Sequence, residues 1–178
     1  ANTMGYTQWF YFGVRGGTAS ARVTFKIINM HKAGLLFGEQ GMRPVGWSCK
    51  GRPGWRRVGV DVAFYGSDPQ HELLPREGAK KEGYQTLAWT YSFEHDDDTV
   101  FFAYHYPYTY TYQREVISAL AAHPYASRFV QRGVLCKTIG GVDCETVEIA
   151  VQKEVPPGAV PPKDKPLAVI TARVHPGE

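Results

Sequence analysis

Hydrophobic and polar residues alternate with a period of two over much of the first hundred positions, which is the pattern of half-buried β-strands. The alternating runs lie at residues 21–28, 60–65 and 84–93. An aromatic strand is predicted at residues 8–14, and a further strand begins at Thr99. Glycine, proline and polar residues separate the runs, above all at residues 29–41 and 66–83. The pattern predicts an all-β block built from several hairpins.

The run at residues 84–93 indicates where the core lies. Its large residues share one face and its small residues share the other; the large ones are Leu87, Trp89, Tyr91 and Phe93. Aromatic side chains at alternate strand positions are usually core residues. The acidic run at residues 94–98 follows and lacks the spaced ligands of a calcium loop. We therefore expect a solvated hairpin turn there, with the partner strand starting at Thr99.

The hydrophobic period changes from two to helical spacing after Thr111, which is the candidate N-cap of a helix that ends before Pro124. The apolar positions at that spacing are Tyr112, Val116, Ala119 and Leu120. Strands are predicted at residues 129–139, 146–151 and 167–174, with a proline-rich loop at residues 156–166. The chain therefore divides into an all-β block over residues 1–107 and the first part of an α/β domain over residues 108–178.

The last predicted strand leads into a candidate metal site. Residues 167–174 are almost continuously apolar, which suits a strand buried on both faces of a largely parallel sheet. Such sheets carry their sites at the carboxyl ends of the strands, where His175 and Glu178 flank a Pro-Gly turn. Histidine and glutamate are ligands of catalytic zinc. Alternatively the pair is merely solvated, because His-x-x-Glu is common by chance.

Composition and charge exclude several classes of protein. A net charge of +3 is too small for a nucleic-acid binder, and no apolar stretch approaches the length of a membrane span. The three cysteines follow no metal or redox spacing, which indicates reduced thiols in a cytosolic-type compartment. Basic residues cluster at Lys50, Arg52, Arg56 and Arg57. This cluster is either a solvated loop or a surface that meets an acidic partner.

Four stretches of the chain match one family in order. They read Thr-Gln-Trp-Phe-Tyr-Phe at 7–12, Gly-Met-Arg-Pro at 41–44, His-Tyr-Pro-Tyr-Thr-Tyr at 105–110 and Thr-Ala-Arg-Val-His-Pro-Gly-Glu at 171–178. With these motifs, the chain resembles the cytosolic carboxypeptidase branch of the zinc carboxypeptidases, the tubulin-deglutamylase type. The resemblance spans nearly the whole chain.

The resemblance implies a mainly β chain. Its N-terminal antiparallel β-sandwich lacks the first strand of the family and packs on an α/β catalytic domain, of which only the opening helix and strands are present. We interpret the tyrosines at 104, 106, 108 and 110 as strand-end packing against the catalytic domain rather than as a binding platform, because aromatics at alternating strand positions are usually core. The resemblance also implies that His175 and Glu178 bind zinc, whereas the third ligand, the general base and the arginine that binds the substrate carboxylate lie downstream.

The function implied by the resemblance is removal of C-terminal glutamates from acidic protein tails such as those of tubulin. The protein would be cytoplasmic and microtubule-associated, without nucleic-acid or membrane partners. We expect a truncated sequence, because the chain ends on a candidate ligand, and we expect this fragment alone to be inactive. The alternative is a non-catalytic β-sandwich that recognises proteins.

Overall fold

The computed structural model describes residues 9–31, 36–38, 41–74, 83–150 and 168–172. The described backbone separates into two compact units, with a boundary between Pro107 and Tyr108. The first unit consists of strands, and the second combines an α-helix with a β-hairpin. The assignment of residues 108–178 to the beginning of a catalytic domain stays a prediction.

The strands of the first unit form two antiparallel sheets, one of four strands in the order β1-β7-β3-β4 and one of three strands in the order β2-β6-β5. The strands are β1 (Tyr11–Gly17), β2 (Arg22–Met30), β3 (Val45–Ser48), β4 (Arg56–Arg57), β5 (Val60–Gly66), β6 (Gln85–Ser92) and β7 (Asp98–Ala103). The predicted mainly β fold is therefore confirmed.

Aromatic side chains from the two sheets meet in one core, as in a β-sandwich. Phe25 on β2 and Phe102 on β7 have ring centroids 4.9 Å apart, and Phe12 on β1 lies 6.2 Å from Trp89 on β6. Trp89 is completely buried, and the rings around it belong to Phe10, Phe12, Phe25 and Phe102. The core is thus an aromatic cluster shared by both sheets.

The predicted core face of β6 is confirmed, since Leu87, Trp89, Tyr91 and the following Phe93 are all buried. The opposite face is buried as well, at Thr86, Ala88 and Thr90. Strand β6 lies in the centre of its sheet, where β2 and β5 flank it on both edges. The residues of this second face are small. The hydroxyl groups of its two threonines form hydrogen bonds with neighbouring side chains: Thr90 with Thr24 at 3.0 Å and Thr86 with Ser67 at 2.7 Å.

The predicted hairpin between β6 and β7 is wrong. Strand β6 pairs with β2 and β5, whereas β7 pairs with β1 and β3, so residues 94–97 connect one sheet to the other. A hairpin would set Trp89 and Phe102 side by side in one sheet. Because residues 94–97 instead cross from one sheet to the other, the two rings face each other with centroids 5.8 Å apart, and both are buried.

A buried carboxylate fixes the start of β7. The Oδ2 atom of Asp98 accepts a hydrogen bond from the Ser48 hydroxyl at 2.5 Å, and Oδ1 accepts one from the Lys50 backbone N–H at 3.1 Å. Burial alone would raise the pKa of Asp98. The hydrogen bonds from Ser48 and from the backbone N–H groups of Lys50 and Thr99 outweigh burial and lower this pKa. Asp98 therefore joins β7 to the loop after β3 as an ionised group.

We expect Asp98→Ala to lower the free energy of unfolding by about 2 to 3 kcal/mol, because buried donors lose a charged acceptor. The folded-state pKa is depressed, so the ionised group stabilises the fold above its unfolded pKa. The difference from wild type should persist between about pH 7 and 5 and shrink as the pH falls below about 4. Urea denaturation across this range measures it, with exposed Glu72→Ala as control. A difference that grows towards acid would contradict this role.

The second unit begins with α1 (Tyr110–Ala122), followed by a short 3-10 helix (Ala126–Arg128) and by the antiparallel hairpin of β8 (Val130–Lys137) and β9 (Asp143–Ile149). The predicted helix is confirmed, but the predicted cap at Thr111 is wrong. Thr109 has the extended backbone that a cap requires, and its side chain accepts a hydrogen bond from the Tyr112 N–H at 3.1 Å. Thr111 already lies within the first turn.

The second unit buries few of its apolar residues. Ile117 is the buried residue of α1, whereas Tyr112 and Leu120 on the predicted apolar stripe are exposed. On the hairpin, Leu135 and Ile149 are each more than 70% exposed. The apolar stripe of α1 is only partly buried because a two-stranded hairpin is too narrow to cover it. No helix among the described residues is long and apolar enough to cross a membrane.

The predicted last strand is not observed where the structure describes it. Residues 168–172 have no strand assignment and are exposed, with Ile170 at 92%. An apolar run becomes a strand buried on both faces only when neighbouring strands bond to its edges and other layers cover it. The hairpin of β8 and β9 forms a separate sheet without a third strand among the described residues. The remainder of the predicted strand and the proline-rich loop lie outside the described residues.

Candidate metal site and the tyrosine-rich motif

The predicted zinc ligands His175 and Glu178 both lie outside the described residues, so their geometry stays a prediction. Their residue types fit a zinc centre, since imidazole nitrogen and carboxylate oxygen are zinc donors. In the part of the chain that the structure describes, no group of three or more His, Cys, Asp and Glu residues is placed to hold a metal.

The motif at residues 105–110 begins with a histidine that is held by the sandwich. His105 Nε2 accepts a hydrogen bond from the Trp9 indole N–H at 3.2 Å, and the two rings meet edge to face at 5.4 Å. The Trp side chain is a donor only, so the hydrogen must be on Nδ1, which lies 3.2 Å from the Tyr106 carbonyl. Both ring nitrogens are thus used within the protein. His105 therefore holds the Trp9 side chain at the end of the sandwich, and neither of its ring nitrogens is free to bind a metal.

The tyrosines of this region have different environments. Tyr104 packs against Phe10 and Phe37, and burial raises the pKa of its hydroxyl. Tyr106 and Tyr108 are exposed, although the Arg57 guanidinium lies over the Tyr106 ring at 5.6 Å. Tyr104 is therefore a packing residue within the sandwich itself. For the exposed tyrosines, packing against a catalytic domain stays a prediction.

The second half of the motif helps to join α1 to the hairpin. The Tyr110 hydroxyl donates a hydrogen bond to the Asp143 carbonyl at 3.3 Å, and Arg114 lies over the Tyr110 ring at 5.9 Å. Arg114 Nε is also 3.7 Å from Glu145 Oε1, which pairs closely with Arg132 of β8. The Glu145 side chain is only 1% exposed. A buried carboxylate between two guanidinium groups thus ties the helix to both strands.

The basic cluster is partly neutralised within the first unit. Arg56 forms an ion pair with Glu94 at 2.5 Å, whereas Lys50 and Arg57 donate hydrogen bonds to the backbone carbonyls of Asp96 and Arg43. Backbone carbonyls do not cancel a full charge. Lys50, Arg52 and Arg57 therefore have no acidic partner among the described residues. Of the two alternatives for this cluster, the solvated loop does not describe Arg56 and Arg57, because these residues form the edge strand β4.

The alternation of hydrophobic residues did not indicate an aromatic patch on the outer face of the four-stranded sheet. Trp55 contacts Tyr11 at 5.6 Å and Trp47 at 5.9 Å between ring centroids, and Tyr11 and Trp47 are more than 40% exposed. The signal in the sequence was the run Trp-Phe-Tyr-Phe at residues 9–12, which places rings on both faces of one strand. Large exposed apolar patches commonly mark surfaces that another protein element covers.

Comparison with solved structures defines the class of fold. The chain is similar to a putative carboxypeptidase A from Shewanella denitrificans OS-217, with a TM-score of 0.52 and 23% sequence identity. The similarity covers 81% of this chain and 31% of that chain. At this identity the similarity shows a shared fold alone. No family model matches the sequence.

Curated relatives identify the group within this class. The chain is 35% identical over 184 residues to cytosolic carboxypeptidase 1 from Xenopus laevis and from Homo sapiens, covering 99% of this chain. It is 34% identical over 177 residues to cytosolic carboxypeptidase 2 from Mus musculus, covering 97% of this chain. The chain is therefore a homologue of the cytosolic carboxypeptidases, and the resemblance predicted from its motifs is confirmed. The chain spans 15% of the length of each cytosolic carboxypeptidase 1 and 19% of the length of cytosolic carboxypeptidase 2.

Proposed function

We propose that this chain is a section of a cytoplasmic zinc carboxypeptidase that removes C-terminal glutamates from acidic protein tails such as those of tubulin. The observation that carries the proposal is the 35% identity over 99% of the chain to proteins named cytosolic carboxypeptidases. The chain corresponds to 15% of these relatives. The rest of the active site would then lie in the remainder of the intact protein.

The contribution of this chain to the active site would be two metal ligands. His175 would bind zinc through one imidazole nitrogen, while its other nitrogen needs a hydrogen-bond partner that fixes the ring. Glu178 would bind through its carboxylate and reduce the net charge of the centre. When bound, zinc polarises a scissile carbonyl and lowers the pKa of water. The third ligand, the general base and the arginine for the substrate carboxylate would come from outside residues 1–178.

Two features of the described residues support an acidic substrate and a larger catalytic domain. Lys50, Arg52 and Arg57 carry positive charge without a described acidic partner, and such a surface raises the local concentration of anionic chains. Leu135 and Ile149 leave apolar surface exposed on the hairpin. Since most of the relatives' length lies outside this chain, we propose that further parts of the catalytic domain cover the hairpin and pack on the sandwich.

The test is hydrolysis of model tails by the intact protein. We expect a peptide that ends in several glutamates to lose them one at a time from its C-terminus, as followed by mass spectrometry. The same peptide with an amidated C-terminus should stay whole, because a carboxypeptidase recognises the free terminal carboxylate. A peptide ending in alanines tests the preference for glutamate, and a zinc chelator should stop the reaction.

The same assay separates hydrolysis from recognition alone. If the intact, zinc-loaded protein binds the glutamate tail but leaves it whole, the non-catalytic recognition module replaces the enzyme. If it shortens the alanine peptide as fast as the glutamate peptide, the proposed substrate is wrong while the reaction is retained.

A further inference from the structure

Two of the three cysteines face each other across the hairpin of the second unit. Cys136 on β8 and Cys144 on β9 are register partners, next to the pair of Lys137 and Asp143. Directly opposed residues of an antiparallel pair project from the same side of the sheet. Both thiols are free, with Cys136 exposed and Cys144 half-buried. The spacing along the sequence did not reveal this pair, because it arises from strand register.

The backbone geometry of this pair is compatible with a disulfide. Thr138 N–H donates to the Val142 carbonyl at 2.8 Å, so these two residues form a hydrogen-bonded pair. Hydrogen-bonded and non-hydrogen-bonded pairs alternate along an antiparallel ladder. Cys136 and Cys144 each lie two residues further from the turn and are therefore the next hydrogen-bonded pair. Such pairs have Cα atoms about 5.5 Å apart, which lies within the usual range for disulfides. Their Cβ atoms are about 5 Å apart and must approach by roughly 1 Å to form the bond. The register shift between Val134 and Cys136 interrupts regular pairing beside the site.

We propose that Cys136 and Cys144 form a reversible cross-strand disulfide by exchange with a small disulfide of the glutathione type. The exposed Cys136 thiolate attacks the oxidant, which releases one small thiol and leaves a mixed disulfide on Cys136. The Cys144 thiolate then attacks the Cys136 sulfur, which forms the cross-strand bond and releases the second small thiol. The protein pair loses two protons and two electrons, and the oxidant gains them.

The bond responds to the redox environment because Cys136 is exposed and because the two strands must move closer to form it. Disulfides that need backbone adjustment are more easily reduced than relaxed structural ones. In a reducing compartment the pair rests as two thiols, in agreement with the expectation from the sequence. Under oxidising conditions the disulfide closes the tip of the hairpin. This inference goes beyond the proposed peptidase activity and does not depend on it.

The experiment equilibrates the intact protein, without air, in glutathione mixtures from fully reduced to fully oxidised. Free thiols are then blocked, and the protein is digested with trypsin and analysed by mass spectrometry. Trypsin cleaves after Arg132, Lys137 and Lys153, so the two cysteines fall in separate peptides, 133–137 and 138–153. We expect these peptides to be joined at the oxidising end of the series and separate at the reducing end.

Variants of each cysteine make the result specific. Cys136→Ser and Cys144→Ser should each abolish the joined peptides, whereas Cys49→Ser, a matched change at an exposed cysteine of the first unit, should leave them unchanged. Three outcomes would overturn the proposal: both thiols stay reduced in fully oxidised glutathione, each takes up glutathione without joining the other, or the joined species contains Cys49.

Discussion

Replacing Trp89 with alanine is expected to lower the free energy of unfolding by about 3 to 5 kcal/mol. Trp89 is fully buried, and its ring stacks on Phe10 and Phe25 and meets Phe102 of the opposite sheet. Its indole N–H has no hydrogen-bond partner in the described part of the chain. The substitution therefore removes packing rather than a polar contact, and it leaves a cavity between the sheets.

Guanidinium denaturation followed by far-ultraviolet circular dichroism measures this loss without relying on tryptophan fluorescence. Trp47→Ala is the matched control, because Trp47 lies on the outer face of the sandwich and is 41% exposed. We expect the control to cost less than about 1 kcal/mol, as surface substitutions usually do. An unchanged denaturation midpoint for Trp89→Ala would show that this face of β6 is not the core.

The second large effect is expected at the candidate metal site. In the intact protein, His175→Ala should abolish hydrolysis of the glutamate tail and weaken zinc binding. The loss of affinity should exceed the roughly 10- to 100-fold that follows when only a supporting outer-shell residue is removed. The reason is that the substitution deletes a donor atom itself, and two remaining protein ligands do not complete a catalytic site.

Metal content by elemental analysis and peptidase rates should fall together in His175→Ala. The matched control is His71→Ala, since His71 is an exposed histidine of the sandwich. A His175→Ala protein that keeps its zinc but loses activity would show that His175 acts on the substrate and not on the metal.

Local patterns predicted the elements of this chain because a single strand or helix shows its buried face in its own sequence. The period of two located β2, β5 and β6, and the change to helical spacing located α1. Strand partners are different, because pairing is decided by residues far apart in the chain. The acidic run at residues 94–98 therefore suggested a hairpin, whereas the shared burial of Trp89 and Phe102 placed β6 and β7 in opposite sheets.

The same distinction applies to the sites. His175 and Glu178 were predicted from their spacing and from the motifs around them, which are local information. The role of His105 depends on Trp9, 96 residues away, and the Cys136 and Cys144 pair depends on hairpin register. Burial of Glu145 between Arg114 and Arg132 likewise requires the helix to pack on the hairpin. None of these arrangements leaves a periodic signal in the sequence.

Calorimetric zinc titration tests most directly the claim that this chain carries two of the three protein ligands of a zinc site. The comparison is between the chain of residues 1–178, the intact protein, and the intact protein with His175→Ala. We expect tight, stoichiometric binding by the intact protein, and weak or no binding by the other two, because metal affinity requires a complete and supported set of ligands. Tight, stoichiometric binding by residues 1–178, or undiminished binding by intact His175→Ala, would contradict the assignment.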